Sequence, residues 1–387
     1  MLLKMLNVIW AVPVLFLIRA IRRFVHVKLF MIDSQRIGAF IPQTFHLINN
    51  YSKSTRTFVL FGTYKVSNRY WLRIIQGSKL PIYGWWVKYL FFWNKYLPSA
   101  QKYIADYGSY TDIFEKTKTK QDFTKLIDVD LEVNTLGEAW LKNFGWTRGE
   151  PFVCLIVRDN GYLNSILPLK GVKNWDYHNY RDSNINTYID AIGWLIEQGY
   201  WVIRMGRAMK YPVNFIHDKF IDYSFLNNQT DSLDIWLFSK ANFTISTGVG
   251  PDIVTPLCSN PILYINALPI NQAASFFNSI WVPKKLKWDN SKPFAINDYL
   301  NLSYSDSGKY ASSKIEIIDL HSIEILNYVQ EFLTFYNNGF KLSEIELKEQ
   351  FSFWQLFYSY EKNSKYSHLK HPKAFISPLW LENNRNY

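Results

Sequence analysis

The stretch that decides the fold is FVCLIVRDNGY, residues 152–162, in which an uninterrupted apolar run leads into Arg158 and a loop with a glycine. Three further runs of this kind follow: YWVIR at 200–204, FTIS at 243–246 and ILYI at 262–265. Strands without polar alternation are buried on both faces, and helical spacing between them predicts a parallel sheet covered by helices. The sequence therefore predicts an α/β fold for this part of the chain.

A shorter alternation of predicted strands and helices precedes this region. VKLFMID at 27–33 predicts a strand, 41–51 a helix and 57–62 a second strand. A chain of 387 residues exceeds what one core usually sustains, so we expect two Rossmann-like α/β domains that face a cleft. The predicted segments are 1–26, 27–145, 146–340 and 341–387.

The positive charge is concentrated near the N-terminus. The chain has 43 Lys and Arg against 32 Asp and Glu, for a formal net charge of +11. The first 105 residues hold fifteen of these basic residues and a single acid, Asp33, so the remainder is slightly acidic. A strongly basic N-terminal part of the chain indicates that the protein binds an anionic surface, either membrane lipid or nucleic acid.

The segment MLNVIWAVPVLFLI at 5–18, followed by Arg19, Arg22, Arg23 and Lys28, favours the membrane. It is shorter than the roughly 20 apolar residues of a bilayer span, and its charges follow the apolar run, unlike those of a signal peptide. We expect 1–26 to be an amphipathic, membrane-associating segment on an anionic surface, with a buried core helix as the alternative. We expect no nucleic-acid partner, because no nucleic-acid motif occurs.

Candidate binding residues follow the predicted strands, where parallel sheets bind their ligands. After the first strand come Arg158, Asp159 and Tyr162, and after the next come Arg204 and Gly206. Arginine can hold a phosphate with two hydrogen bonds, and glycine permits close approach. An ion pair that merely fixes a loop, or an ordinary surface turn, would explain the same residues.

The segment STGVG at 246–250 lies between a strand and a helix that opens with Pro251. Hydroxyl groups and free amides at the start of a helix form a phosphate site, so this segment predicts binding of a diphosphate. Asp252 would repel a phosphate placed on the helix axis. The turn at 34–38, with Arg36 and Gly38, is a fourth candidate.

Other kinds of chemistry find no support in the sequence. The two cysteines cannot form a disulfide framework and indicate a reducing compartment. The seven histidines lack metal-binding spacing, and no Gly-x-Ser-x-Gly motif occurs. We therefore expect no metal and no cofactor.

Six segments of the sequence resemble bacterial glycosyltransferases of surface-polysaccharide and lipopolysaccharide gene clusters. Four lie within 152–269 and read FVCLIVRDNGYLNS, YHNYRDSNINTYIDAIGWLIEQGYWVIRMG, DSLDIWLFSKANFTISTGVG and PILYINALP. The other two are RIGAF at 36–40 and ISPLWLENN at 376–384. The resemblance implies the two-domain fold known as GT-B. Residues 27–145 would then form the acceptor-side domain, 146–340 the nucleotide-sugar-binding domain, and 341–387 C-terminal helices and a tail.

The resemblance also implies a function. The protein would transfer a sugar, without a metal, from a nucleotide-diphosphate donor to a lipid-linked or lipopolysaccharide glycan, as a peripheral protein at the cytoplasmic face of the inner membrane. Asp159 would be the catalytic base, and Arg36 and Gly38 would face the acceptor. The donor would be bound by Arg158, Tyr162, Arg204, Gly206, Ser246, Thr247, Gly248, Val249 and Gly250. The alternatives are a nucleotide-sugar 2-epimerase and a non-catalytic membrane-associated scaffold of a polysaccharide complex.

Overall fold

The computed structural model describes residues 6–51, 56–77, 82–105, 130–165, 175–273, 278–302, 304–360 and 373–384. The chain divides into two compact units, Met1–Gln121 and Asp122–Tyr387, which we call unit 1 and unit 2. This division lies earlier than the predicted boundary at 145/146. Residues 341–387, predicted as C-terminal helices and a tail, fall within unit 2.

Unit 1 contains a three-stranded parallel sheet. Its strands are β1 (His26–Ile32), β2 (Thr57–Thr63) and β3 (Ile82–Tyr83), and its helices are α1 (Val8–Ala20), α2 (Ile37–Tyr51), α3 (Arg69–Gly77) and α4 (Val87–Asn94). The strand order is β1-β2-β3. Helices α2 and α3 connect successive parallel strands, so the predicted α/β alternation of this half is confirmed.

Helix α1 differs from the predicted amphipathic segment at 1–26. Ala11, Leu15 and Ile18 are buried in one cluster with Val87 and Leu90 of α4. The opposite side of α1 is exposed and is also apolar, so the helix lacks the polar face that defines an amphipathic helix. One side of α1 is thus part of the unit 1 core, and membrane association of 1–26 stays a prediction. Among the described residues, no helix is long and apolar enough to span a bilayer.

Unit 2 is built on seven parallel strands. They are β4 (Phe152–Ile156), β5 (Trp201–Arg204), β6 (Phe220–Ile221), β7 (Phe243–Ser246), β8 (Ile262–Ala267), β9 (Ser279–Pro283) and β12 (Ala374–Ile376). Their order is β6-β5-β4-β7-β8-β9-β12. Every residue of β4, β5, β7, β8 and β9 is buried. The apolar sequences of β4, β5, β7 and β8 predict this burial, whereas β9 was not predicted. A separate antiparallel pair is formed by β10 (Lys285–Trp288) and β11 (Ile315–Ile318).

The strand order of unit 2 reverses between β4 and β7. From β4 the chain adds β5 and β6 on one side, then returns to add β7, β8 and β9 on the other. The helices of unit 2 are α5 (Leu131–Lys142), α6 (Gly161–Ser165), α7 (Ile189–Glu197), α8 (Asp231–Lys240), α9 (Val254–Leu257), α10 (Ile296–Asn301), α11 (Ser307–Ser312), α12 (Ser322–Asn337), α13 (Glu344–Ser359) and α14 (Pro378–Asn383). Doubly wound sheets bind ligands at such a switch point, beyond the carboxyl ends of the strands.

Helix α5 packs against α8, which explains why it belongs to unit 2. Gly137 lies against the Trp236 ring, and a Cβ added at Gly137 would stand 2.3 Å from a ring carbon. The Trp236 indole also donates a hydrogen bond to the Asn134 side chain at 3.0 Å. The absence of a side chain at Gly137 therefore sets how closely the two helices approach.

We expect Gly137→Ala to lower the free energy of unfolding by about 1–3 kcal/mol, because the indole or the helix must shift. The matched control is Gly193→Ala in α7, where an added Cβ meets no atom within 4 Å. That variant should be neutral or gain up to about 1 kcal/mol, because alanine favours the helix. Urea denaturation measures both, and equal stability of the two variants would contradict the packing.

The C-terminal segment is held by a buried carboxylate on α12. Glu331 accepts hydrogen bonds from the Ser377 hydroxyl at 2.5 Å and from the Leu379 amide at 2.8 Å. Burial raises the pKa of Glu331 to about 7, although both hydrogen bonds lower it. The native state therefore retains a proton on Glu331 over a pH range in which the unfolded chain releases it.

This pKa predicts a pH-dependent stability. The contribution of Glu331 is complete below the ordinary pKa of 4.5 and is lost as the pH rises through about 7. We expect a loss of up to about 3 kcal/mol over that interval, which Glu331→Gln should remove. Urea titrations of both proteins at several pH values measure the slope, and identical slopes would contradict the assignment.

Candidate functional site

Two of the predicted motifs meet at the switch point of unit 2. Arg158 lies just beyond β4, and its backbone N–H donates a hydrogen bond to Thr247 Oγ1 at 2.9 Å. Thr247 follows β7, and its own N–H donates to the Ile156 carbonyl at 3.2 Å. Thr247 is buried, so both bonds are shielded from water. The loops after β4 and β7 are thus fixed to each other where the sheet order reverses.

The guanidinium group of Arg158 has an unused donor at this point. Its Nε donates to Asp182 Oδ1 at 2.8 Å, and the side chain is 11% exposed. Its Nη2 is buried and has no hydrogen-bond partner among the described residues. Burial lowers the pKa of Arg158, and the charge of Arg181 lowers it further. Because buried donors rarely stay unpaired, this nitrogen indicates a missing acceptor.

Arg181 is the second cation of the cluster. It donates to the carbonyl of Gly248, whose φ of +76° places it in the left-handed region. Burial raises the pKa of Asp182, and the neighbouring Arg158 lowers it. Arg181 therefore lies close enough to lower the pKa of Arg158, whose guanidinium group is paired with the Asp182 carboxylate. Two guanidinium groups held together in this way favour an anionic ligand.

A buried network supports the segment that carries Arg181 and Asp182. Lys284, just after β9, donates to the Asp182 carbonyl and to Asp319 Oδ1 at 2.6 Å, and its side chain is 2% exposed. Asp319 Oδ2 accepts from the Ser183 hydroxyl at 2.8 Å. Asn266 also donates to this hydroxyl at 3.1 Å. Residues beyond β8 and β9 therefore fix the position of Asp182 relative to Arg158.

The glycine loop after β7 differs from the prediction. Its amides were expected to bind a diphosphate, yet Gly248 N–H donates to Ser246 Oγ at 2.9 Å and Val249 N–H donates to Asp252 Oδ2 at 2.8 Å. Ser246 Oγ in turn donates to Asp252 Oδ2 at 2.5 Å. Asp252 thus takes the position that a phosphate oxygen would need. Burial raises its pKa to about 6, opposed by these hydrogen bonds and by Arg181.

Arg204 and Gly206, predicted to bind the donor, make hydrogen bonds within unit 2. Arg204 is 1% exposed, and its Nη1 donates to Asp222 Oδ2 at 3.0 Å and to the Tyr211 carbonyl at 2.8 Å. Gly206 has a φ of +141°, and its carbonyl accepts from the Gln229 side chain at 3.2 Å. These bonds hold the loop after β5, whereas Arg204 Nε is buried and has no hydrogen-bond partner among the described residues. Donor binding by Arg204 and Gly206 therefore stays a prediction.

Asp159, predicted as the catalytic base, has a structural role. Its Oδ1 accepts from Gly161 N–H at 2.8 Å, and its Oδ2 accepts from Lys210 N–H at 2.9 Å. A Cβ at Gly161 would stand 2.4 Å from the Ala208 carbonyl oxygen, so the two loops are in close contact. These two hydrogen bonds make Asp159 a link between the loops after β4 and β5, and its role as the catalytic base stays a prediction.

Three further predicted site residues are Tyr162, Arg36 and Gly38. Tyr162 lies near Arg207, and burial raises its pKa. Arg207 is itself paired with Asp231 and Asp234, each at 2.7 Å. In unit 1, Arg36 forms an exposed ion pair with Asp33 at 3.4 Å, and Gly38 lies in the first turn of α2. These contacts leave their predicted roles as predictions.

The sequence did not identify Arg181, Asp182 or Lys284 as site residues. Asp182 directly precedes Ser183 and the 3₁₀ turn at Ile185–Tyr188, whose cap is Asn184. Arg181 lies in one of the four segments within 152–269 that carry the family resemblance, and this is the one signal for it. Lys284 had no signal, because only the sheet order brings the end of β9 beside residue 182. Among the described residues, His, Cys, Asp and Glu form no group of three that could hold a metal ion.

The hydrogen bond between the two loops can be tested by substitution. We expect Thr247→Val to lower the free energy of unfolding by about 1–3 kcal/mol, because it leaves the buried Arg158 N–H without an acceptor. Thr247→Ser keeps the hydroxyl and should cost clearly less. Urea denaturation compares the two variants, and equal losses would show that the hydroxyl does not join the loops.

Comparisons with known proteins add three weak structural similarities. No family model and no curated protein matches the sequence. ADP-heptose lipopolysaccharide heptosyltransferase II of E. coli aligns with 62% of this chain and 86% of its own, at 9% identity and a TM-score of 0.36. A glycosyl transferase family 9 protein from Veillonella parvula aligns over 67% and 86%, at 10% identity and 0.38. E. coli heptosyltransferase WaaC with ADP-2-deoxy-2-fluoro heptose aligns over 67% and 93%, at 11% and 0.29. Because the identities and TM-scores are this low, the functional proposal rests on the geometry of the site in unit 2.

Proposed function

We propose that this protein is a glycosyltransferase whose unit 2 binds the diphosphate of a nucleotide-sugar at the Arg158–Arg181 pair. The observation that carries the proposal is the buried, unpartnered Nη2 of Arg158 beside a second guanidinium group, at the switch point of a doubly wound sheet. This is the part of the fold in which such sheets bind nucleotides. The residues are held there by Thr247 and by the network around Lys284.

The chemistry of sugar transfer fits a pair of guanidinium groups. Negative charge accumulates on the diphosphate as it leaves the sugar, and fixed cationic donors in a water-poor site stabilise that charge. Arg158 has a free Nη2, and Arg181 is oriented by the Gly248 carbonyl, so both can act without a large rearrangement. These two side chains thus take the role that the sequence predicted for the loop amides, and no general base is assigned.

The acceptor in this proposal is the lipid-linked or lipopolysaccharide glycan that the family resemblance implies, at the cytoplasmic face of the inner membrane. Unit 1 supports an anionic acceptor, because the first 105 residues contain fifteen basic residues and one acid. The nucleotide, the sugar and the anionic acceptor are thus parts of one proposal. The experiment that follows needs only the binding of the nucleotide.

Nucleoside diphosphates and their sugars should raise the melting temperature of the full chain. At a ligand concentration about a hundredfold above Kd, we expect a rise of about 5 °C for the matching nucleotide. Arg158→Gln and Arg181→Gln should each weaken binding about ten- to a hundredfold, because each removes a charged hydrogen-bond donor. Arg148→Gln is the matched control, because Arg148 is an exposed arginine of unit 2 that pairs with Glu138 at 3.4 Å.

Three results would contradict the proposal. The first is that no nucleotide shifts the wild-type protein, as a non-catalytic scaffold would show. The second is that Arg158→Gln and Arg181→Gln show the same ligand-induced rise in melting temperature as Arg148→Gln. This result counts when both variants melt near the wild type without ligand. The third is conversion of a bound nucleotide-sugar to its epimer without any acceptor, which would identify a 2-epimerase.

A further inference from the structure

The exposed face of α1 is entirely apolar. It is formed by residues spaced three, four or seven apart, which lie on one side of a helix. They are Ile9, Pro13, Phe16, Leu17 and Ala20, and the exposed Leu6 precedes the helix. Ile9 is 72% exposed, Phe16 55% and Leu17 60%. The buried side of the same helix already supplies the core contacts of unit 1, so this face has no role in folding the unit.

A basic cavity lies at the C-terminal end of this helix. It has a volume of about 230 Å³ and is lined by Arg22, His26, Val27, Lys28, Lys102 and Tyr103. Lys28 Nζ donates to the Lys102 carbonyl at 2.6 Å, which holds the two lysines together. No salt bridge among the described residues involves Lys28, Lys102, Arg22 or Arg23. The positive charge of these four side chains is therefore not neutralised by a described acid.

Aromatic residues line the side of α1. Trp10 makes edge-to-face contacts with Trp86 at 6.5 Å and Tyr89 at 6.1 Å, measured between ring centroids. Trp85 is exposed and packs edge-to-face on Tyr89, and Lys88 Nζ lies 4.9 Å from the Tyr89 ring centroid. Aromatic rings mixed with lysine are typical of the boundary between lipid headgroups and acyl chains.

We propose that unit 1 binds the surface of an anionic lipid bilayer through this face, with a lipid phosphate in the basic cavity. The 13 residues of α1 are about 20 Å long, so the helix would lie in the interface and not cross the bilayer. A continuous aliphatic face has no counterpart in nucleic-acid binding, whereas a bilayer accepts both the apolar face and the cations. This proposal is independent of the donor site in unit 2.

Flotation of the full chain with vesicles tests the proposal. The protein should float with vesicles of phosphatidylcholine that contain one third phosphatidylglycerol, and much less with phosphatidylcholine alone. Arg22→Gln/Lys28→Gln/Lys102→Gln should weaken binding about a hundredfold, because each cation near an anionic surface contributes about fivefold. Phe16→Ser/Leu17→Ser should weaken binding to both kinds of vesicle.

The matched control is Tyr64→Ser/Lys65→Gln. These two exposed residues follow the C-terminal end of β2, whereas the basic cavity lies at the N-terminal end of the parallel strand β1. The control should float like the wild type. Equal flotation with neutral and anionic vesicles, or unchanged flotation of the Phe16 and Leu17 variant, would overturn the proposal. A lipid-free dimer that this variant dissociates would instead identify a second copy of the chain as the partner and would also overturn it.

Discussion

The hydrogen bond from the Arg158 backbone to Thr247 Oγ1 joins the loops that follow β4 and β7, where the strand order of unit 2 reverses. Everything proposed for the donor site depends on this bond. It fixes the loop that carries Arg158 against the loop that carries Gly248, and the Gly248 carbonyl in turn orients Arg181. Because both loops follow fully buried strands, small shifts at the site would have to disturb the core.

The glycine loop shows how a short carboxylate changes the chemistry of a common motif. A strand, a glycine turn and a helix start would ordinarily leave amides free for a phosphate. Here Asp252 and Ser246 accept those hydrogen bonds from within the loop. The protein thereby makes the loop a rigid support, and the positive charge comes from the arginine side chains. In the resulting site, specificity for phosphate would depend on guanidinium geometry.

The sequence predicted those features that depend on local pattern. Apolar runs identified β4, β5, β7 and β8, and the parallel sheet followed from the helical spacing between them. Arg158 was identified because it directly follows such a strand. The pattern could not show that Asp252 occupies the loop amides or that Arg204 pairs with Asp222, since both depend on three-dimensional contacts. It also missed Lys284, which reaches Asp182 from a distant part of the sequence.

A crystal structure of the protein with a bound nucleoside diphosphate would test the donor site most directly. We predict phosphate oxygens within about 3 Å of Arg158 Nη2 and of the Arg181 guanidinium, with the Asp252 hydrogen bonds intact. A diphosphate bound to the amides of Gly248 and Val249, with Asp252 displaced, would contradict the proposed site. So would a nucleotide bound at a part of the chain remote from the boundary between β4 and β7.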